Sequence, residues 1–194
     1  MNSKMKKTVF SLSLIVATSA CVTRPAPIEI RQPASEVVAP HNQIESAFSP
    51  EAGGEGLVLK VIGSAQKEVR LAAYSFTSLT IAKALISAEK RGVDVRVVVD
   101  DKRNRGKPSI AALSLLVNAG ISVRTNASYA LHHDKYIVAD SRHVQNGSFN
   151  YTAGAAEANS ENVLVIWNDS DLAGSFLKHW QSRWDQGAPF TSKY

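Results

Sequence analysis

The 194 residues of this chain include a single cysteine, Cys21, close to the N-terminus. That count excludes a disulfide-stabilised fold and a site in which several thiolates bind a metal ion. The formal net charge is +5, but the first twenty residues hold three lysines and no acidic residue, so the remainder carries only +2. The charge balance alone is therefore weak support for binding to nucleic acid.

The first twenty residues have the composition of an export signal. Lysines precede an apolar run from Val9 to Ala17 that is too short to span a membrane. We expect residues 1–20 to be removed as a signal peptide, by one of two routes. In the first, Cys21 is lipidated as in a bacterial lipoprotein, becomes the first mature residue and anchors the protein to the outer membrane. In the second, ordinary cleavage after Ala20 releases an exported, periplasmic protein.

The next segment, 22–44, contains four prolines and few large apolar side chains, which is typical of an extended linker. Residues 45–194 remain as one globular domain, which is long enough to enclose a good hydrophobic core. We expect this domain to carry the function.

Apolar residues recur at helical spacing in four segments of the domain and form short strand patterns in six others. Two of the predicted helices are followed by Gly92 and Gly120, as is common at a helix C-terminus. Helices and strands that alternate predict an α/β fold in which a mixed β-sheet is sandwiched between helices. In chain order, the predicted elements are a helix over Leu57–Ala65, a strand over Val69–Phe76, a helix over Ile81–Ala88, a strand over Val93–Val99, a helix over Pro108–Val117, strands over Ile121–Arg124, Lys135–Ala139, Val144–Ser148 and Asn162–Trp167, and a helix over Leu172–Trp184.

A basic segment follows the apolar strand that ends at Val99. It carries four cations within six positions, namely Lys102, Arg103, Arg105 and Lys107. Such a loop can follow the phosphate backbone of a nucleic acid. A solvated connector without a ligand has the same composition, so both interpretations stay open.

The most informative pattern lies in the segment HHDKYIVADSRHVQNGSFN. It follows the spacing H-x-K, four residues, D, six residues, G-S-x-N. On a strand, residues two apart project to one face, so two neighbouring strands would present an imidazole, an ammonium, a hydroxyl and a carboxamide to one anion. The residues at these positions are His133, Lys135, Asp140, Gly147, Ser148 and Asn150.

These side chains suit the hydrolysis of a phosphodiester without a metal ion. A neutral imidazole of His133 can attack phosphorus, while Lys135, Ser148 and Asn150 hold the non-bridging oxygens. A phosphate pocket has little use for a carboxylate, so we interpret Asp140 as structural. Gly147 is interpreted in the same way.

No metal cofactor is predicted. The pattern does not favour a zinc site built from His132, His133 and Asp134, because consecutive strand residues diverge and no fourth ligand is indicated. Of these three, His132 and Asp134 are expected to face away from His133. The other histidines have no partner pattern and are expected to be surface or incidental residues: His41, His143 and His179.

The motif resembles the signature of the phospholipase D superfamily. The flanking segments RGVDVRVVVDD, GSFNYTAGA and NSENVLVIWN are similar to its small bacterial endonuclease branch, called Nuc. The resemblance implies the phospholipase D fold, a phosphohistidine on His133, and catalytic roles for Lys135 and Asn150, with Ser148 as a weaker phosphate ligand. It also implies that Glu161 orients His133 through the second ring nitrogen.

The mechanism needs a second imidazole, which protonates the leaving oxygen from the opposite side of phosphorus. No second H-x-K occurs in the chain. A symmetric homodimer in which two copies of His133 meet across the two-fold axis would supply it. The alternative is a monomer with an inactive half-site.

We therefore predict an exported, metal-independent endonuclease that cuts DNA, with RNA as an open second substrate, and that has little sequence preference. The first alternative is a phospholipase D that hydrolyses glycerophospholipid head groups at a membrane. The second is a phosphate-binding module without catalytic activity.

Overall fold

The computed structural model describes residues 43–194. The predicted signal peptide (1–20), Cys21, His41 and nearly all of the predicted linker lie outside these residues. The described part contains eight strands and five helices, and its first strand begins at Ile44, the last residue of the predicted linker. The strands are β1 (Ile44–Ser49), β2 (Glu68–Ala73), β3 (Asp94–Asp100), β4 (Ser122–Asn126), β5 (Lys135–Ala139), β6 (His143–Gly147), β7 (Glu161–Ile166) and β8 (Ala188–Pro189); the helices are α1 (Gly54–Ser64), α2 (Leu79–Lys90), α3 (Lys107–Asn118), α4 (Ala153–Glu157) and α5 (Ser170–Asp185).

All eight strands form one sheet in the order β1-β7-β6-β5-β2-β3-β4-β8. The neighbours β2, β3 and β4 run parallel, and every other pair is antiparallel. Parallel neighbours need a crossover connection, which α2 and α3 provide in turn. The sheet is therefore mixed, as the sequence predicts.

Helices cover both faces of the sheet, because successive strand residues point to opposite faces. In β3, Val97 and Val99 pack with α1, α2 and α3 on the first face, whereas Val98 packs with α5 on the second. On the second face Trp180 of α5 donates a hydrogen bond from Nε1 to the Leu71 carbonyl at 3.0 Å. The prediction of an α/β fold with a mixed sheet between helices is confirmed.

Each of the ten predicted elements has a counterpart, and three short or peripheral elements were not predicted: β1, α4 and β8. Gly92 and Gly120 follow α2 and α3 with φ of 90° and 94°, in the left-handed region that favours glycine. Among residues 43–194, no helix has the length and apolar character needed to cross a membrane.

The strand predicted over Val69–Phe76 ends at Ala73 as β2. Asn104 explains the early end, because its Oδ1 accepts a hydrogen bond from Phe76 N at 2.9 Å and its Nδ2 donates to Tyr74 O at 2.8 Å. These backbone groups bond to a side chain instead of a neighbouring strand. The chain therefore leaves the sheet at the point where the motif residues also lie.

The expectation that His143 is an incidental surface residue is wrong. The residue is buried, its Nδ1 accepts a hydrogen bond from Asn168 N at 3.0 Å, and its ring centroid lies 4.9 Å from that of Trp167. Burial lowers the pKa of His143, and the nearby positive charge of Arg142 lowers it further. His143 is thus part of the structure that holds β6 against the loop after β7.

Candidate active site

The H-x-K motif lies at one end of the sheet, where four strands begin or end. Lys135 is the first residue of β5 and pairs with Ala73, the last residue of β2. Gly147 ends β6, and Glu161 begins β7. Because these neighbouring strands are antiparallel, the end of β2, the start of β5, the end of β6 and the start of β7 meet at the same edge.

Lys135 and His133 are in direct contact. The Lys135 ammonium lies 3.2 Å from Nδ1 and 3.3 Å from Nε2 of His133 and donates a hydrogen bond to the His133 carbonyl oxygen at 2.9 Å. Lys135 is only 8% exposed, and this burial lowers the pKa of its ammonium, while the carboxylates of Asp134 and Glu161 act in the opposite direction. A largely buried cation beside an imidazole can hold an anion there as a point charge.

Ser148 and Glu161 form a second polar group at this edge. Glu161 Oε2 accepts a hydrogen bond from Ser148 Oγ at 2.5 Å, and its Oε1 accepts one from Asn159 Nδ2 at 3.0 Å. Ser148 Oγ in turn accepts a hydrogen bond from Asn162 N at 3.0 Å. Within residues 43–194 Glu161 makes no hydrogen bond to His133, so its role in orienting that ring stays a prediction.

Asn150 follows Ser148 by two residues, and the oxygen of its carboxamide is buried. Its Oδ1 has no hydrogen-bond partner within the described part of the chain. Its backbone oxygen accepts a hydrogen bond from Thr152 N at 2.8 Å, which fixes the turn that leads into α4. This oxygen can accept a hydrogen bond but cannot donate one, so a phosphate oxygen could be held only by the Nδ2 group of Asn150.

Asp140 lies at the far end of β5 from Lys135. Its carboxylate accepts hydrogen bonds from the backbone N of Gln66, Lys67 and Glu68 at 2.8–3.1 Å. Burial alone would raise the pKa of Asp140, but these hydrogen bonds outweigh it and lower the pKa. The carboxylate thus serves the turn between α1 and β2 and takes no part in the arrangement around His133.

Gly147 is required by a close backbone approach. A Cβ atom at this position would lie 2.2 Å from the carbonyl oxygen of Asn162 in β7. Any other residue would therefore separate β6 from β7 beside Ser148 and Glu161. Gly147 therefore has a structural role in the motif, because it allows β6 and β7 to approach closely.

The basic loop after β3 lies beside the motif. Buried Asp100 accepts a hydrogen bond from Arg103 N at 2.6 Å through Oδ1 and from His132 N at 2.8 Å through Oδ2. All four cations are exposed, and Arg105 is paired with the carboxylate of Asp101. The three without that ion pair are Lys102, Arg103 and Lys107.

Sequence analysis missed Tyr74, which lies in the centre of this arrangement. Its ring centroid is 4.5 Å from that of His133, 5.3 Å from the Lys135 ammonium and 5.9 Å from the Arg103 guanidinium. An aromatic residue directly after the apolar end of β2 was the available signal. The contact itself depends on a loop distant in sequence.

On the opposite side of the motif strand, Asp134 contacts two histidines. Its Oδ2 lies 3.1 Å from Nε2 of His132 and 2.9 Å from Nε2 of His179 in α5. Burial alone would raise the pKa of Asp134, but these two imidazoles lower it to about 2. The expectation that His179 is incidental is therefore wrong, because this residue connects α5 to the motif strand.

A metal-binding cluster of three or more His, Cys, Asp or Glu side chains is not found within residues 43–194. The Lys135 ammonium lies within 3.3 Å of both ring nitrogens of His133. The arrangement thus places a cation that can bind a phosphate beside an imidazole that can attack it.

Comparison with known proteins places the chain in a family. A family model described as "Cardiolipin synthase, PLD-like domain" matches residues 58–184. The crystal structure of Nuc from Salmonella typhimurium, a phospholipase D family member, superposes with a TM-score of 0.77 at 47% identity and covers 78% of this chain and 100% of that one.

Two sequence relatives carry other names. "Phospholipase D" of Rickettsia conorii is 35% identical over 142 residues, which is 73% of this chain and 70% of that protein. "Mitochondrial cardiolipin hydrolase" of Xenopus laevis is 29% identical over 165 residues, 85% of this chain and 74% of that protein.

The fold, the site and these matches define a phosphodiesterase hydrolase. The chain belongs to the phospholipase D superfamily, as its motif indicates.

Proposed function

We propose that this phosphodiesterase is an endonuclease that cuts DNA without a metal ion and with little sequence preference. The observation that carries the proposal is the contact between His133 and the largely buried ammonium of Lys135, at the sheet edge that also holds Ser148 and Asn150. The 47% identity to Nuc over all of that chain supports the choice of nucleic acid as substrate.

In the proposed reaction the neutral imidazole of His133 attacks phosphorus and forms a phosphohistidine, while the P–O bond to the leaving alkoxide breaks. Lys135 and Asn150 hold the non-bridging oxygens, where charge develops. A second imidazole, from the other protomer, gives its proton to the leaving oxygen. It then takes a proton from water, which attacks the phosphohistidine and releases the phosphomonoester.

A second protomer is part of the proposal, and an apolar surface near this end of the sheet supports it. Phe48 in β1 and Leu164 in β7 project from the sheet face on which α5 packs, opposite to Lys135 and Glu161, and they are 54% and 37% exposed. Phe48 pairs in register with Asn162, which follows Glu161. Exposed apolar side chains at the same end of the sheet as an incomplete site are what a homodimer interface would cover.

Phospholipid hydrolysis is the second candidate. Relatives named phospholipase D and mitochondrial cardiolipin hydrolase favour it. Leu131, which is 53% exposed and lies two residues before His133, would offer an acyl chain an apolar contact. The chemistry at His133 would be the same, so only substrate experiments separate the candidates.

The test incubates the purified mature protein with plasmid DNA and with phosphatidylcholine vesicles in parallel, each with and without EDTA. We expect nicked plasmid in EDTA and no nicking by His133→Asn. Nicking that disappears in EDTA and returns with magnesium or zinc would contradict the metal-free mechanism. Release of choline by a protein that leaves plasmid intact would replace the endonuclease proposal by the phospholipase.

Export is proposed from the first 21 residues alone. Expression of the full chain in a Gram-negative host, followed by fractionation and mass spectrometry of the N-terminus, tests it. A diacylated Cys21 in the outer membrane supports lipid anchoring, and an unmodified Cys21 in the periplasm supports simple cleavage. A full-length protein in the cytoplasm would contradict both routes.

A further inference from the structure

Tyr74 connects the catalytic pair to the basic loop. Its ring lies against the imidazole of His133 and within cation–π distance of both Lys135 and Arg103. Among the described residues, no other aromatic ring lies within cation–π distance of two cations. The exposed guanidinium of Arg103 is therefore held next to the site that binds the scissile phosphate.

Buried polar groups fix this arrangement. Asp100, which is 2% exposed, binds the backbone N of both Arg103 and His132, so one carboxylate sets the loop against the motif strand. Asn104, which is 3% exposed, donates to the carbonyl oxygens of Tyr74 and Asp100. Breaking either connection would leave buried polar groups unpaired, so the loop keeps a defined position next to His133.

The four cations of the loop are consequently not equivalent. The charge of Arg105 is offset by Asp101, and Lys102 and Lys107 are exposed without contact to Tyr74 among the described residues. Arg103 alone combines an exposed guanidinium with a contact to the ring that packs on His133.

We propose that Arg103, held by Tyr74, forms a second phosphate-binding position for the phosphate that neighbours the scissile one in a polynucleotide strand. The inference rests on the proposed endonuclease function and narrows it, because a polynucleotide carries a phosphate at every nucleotide whereas a phosphatidylcholine head group carries one. Arg103 acts on the neighbouring phosphate through its charge. Tyr74 is a positioning residue, which holds the guanidinium and the imidazole at a fixed separation.

The first experiment compares Arg103→Ala with Lys107→Ala, at the start of α3 directly after the loop, and with Lys90→Ala at the opposite end of the sheet. Each variant is assayed on bis(4-nitrophenyl) phosphate, which has one phosphodiester, and on a single-stranded oligonucleotide. We expect Arg103→Ala to lower kcat/KM for the oligonucleotide about tenfold more than for the small diester, and to reduce the salt slope of oligonucleotide binding by about 0.7, as for one phosphate contact on a single strand. Equal losses in Arg103→Ala and Lys107→Ala would overturn the proposal.

Binding of the same oligonucleotide is measured by fluorescence anisotropy in the inactive His133→Asn background. If the parent fails to cut DNA but Arg103→Ala still weakens binding selectively, the endonuclease function fails and the second phosphate position stands. If the parent cuts DNA and Arg103→Ala binds as tightly as Lys90→Ala, the second position fails and the function stands.

The role of Tyr74 is tested with Tyr74→Phe and Tyr74→Leu. Tyr74→Phe keeps the ring and should retain the preference of the parent for the oligonucleotide over the small diester. Tyr74→Leu should lose that preference to the extent that Arg103→Ala does, with kcat for the small diester also lowered. A Tyr74→Leu enzyme with the preference of the parent would show that the ring does not hold Arg103.

Discussion

Single residues at this site take their position from neighbours that lie outside the motif. The Lys135 ammonium is held by the carbonyl oxygen and ring of His133, and Tyr74 packs against the same ring. Glu161 is held by Ser148 and Asn159 and acts on Lys135 through its charge. Removal of the charge of Glu161 should therefore change the pKa of Lys135.

The alkaline limit of activity should follow the charge of Lys135. Its burial lowers the pKa, and the carboxylate of Glu161 partly restores it, so Glu161→Gln should lower the pKa further. Phosphate binding needs the protonated ammonium, and the alkaline limb of kcat/KM for bis(4-nitrophenyl) phosphate should move to lower pH. Glu157→Gln, an exposed change in α4, is the control. A lower rate with an unmoved alkaline limb would mean that Glu161 acts only on His133.

Gly147 gives a second prediction for a single residue. The Cβ atom of Gly147→Ala would meet the Asn162 carbonyl at 2.2 Å, so β6 and β7 must separate. We expect the free energy of unfolding, measured in urea, to fall by about 1–3 kcal/mol. Gly154→Ala in α4, where a Cβ meets nothing closer than 4.0 Å, is the matched control. Equal stability of the two variants would contradict the close-approach argument.

At the scale of elements, α5 holds the motif strand from the face opposite the catalytic pair. His179 reaches Asp134, and Trp180 donates a hydrogen bond to Leu71 of β2. Asp134 lies between His133 and Lys135 in sequence, so α5 supports the peptide units that carry both catalytic side chains. Loss of the contact between Asp134 and His179 should therefore lower the free energy of unfolding by an amount that depends on pH.

Asp134→Asn tests this support. The folded protein holds the pKa of Asp134 at about 2, below the ordinary 3.8, so the unfolded chain takes up the proton first as the pH falls. The stabilisation is present above pH 4 and is lost as the pH falls from there towards 2. We expect Asp134→Asn to lower the free energy of unfolding at pH 7 by about 2 kcal/mol, with the difference shrinking in acid.

Asp171→Asn in the exposed first turn of α5 is the control, and its effect should stay below about 1 kcal/mol. The opposing result is a free energy of unfolding that differs between Asp134→Asn and the parent by the same amount at pH 7 and near pH 2. That result would mean that the carboxylate charge does not stabilise α5 on the sheet.

The elements that were predicted are those whose signal is local. The valines of β3 and the apolar stripe of α5 identify buried elements from periodicity alone. In contrast, β1 is an edge strand with exposed side chains, and α4 has only five residues, too few for a helical period. Both lack the pattern on which sequence prediction depends.

The site was predictable where its spacing is fixed and not where it depends on distant contacts. Lys135 begins β5 and Gly147 ends β6, two strands that the sequence indicates, so the meeting of H-x-K and G-S-x-N at one sheet edge was expected. His133, Ser148 and Asn150 themselves lie just outside these strands. Tyr74 depends on Asn104, thirty residues later, and His179 depends on Asp134, in another element. Neither contact has a signature in the local sequence.

At the scale of the whole molecule, the described chain presents one imidazole of the H-x-K type at an open sheet edge. Phe48 and Leu164 leave an apolar surface beside that edge. The proposed reaction needs an attacking imidazole and a proton donor on opposite sides of phosphorus. If both are copies of His133, the active unit is the dimer, and each dimer contains one complete centre.

Mixed dimers give the decisive test. Parent subunits are exchanged with His133→Asn subunits at a constant total concentration, and hydrolysis of bis(4-nitrophenyl) phosphate is measured against the parent fraction. A hybrid centre holds one imidazole and should be inactive, so activity should follow the square of the parent fraction and fall to about a quarter in an equal mixture. Exchange of the parent with Lys90→Ala, which leaves the centre intact, controls for loss of activity on mixing. A linear fall, or full activity from a species that sediments as a monomer, would mean that one chain provides its own proton donor, and His133 of a second protomer would then have no part in the reaction.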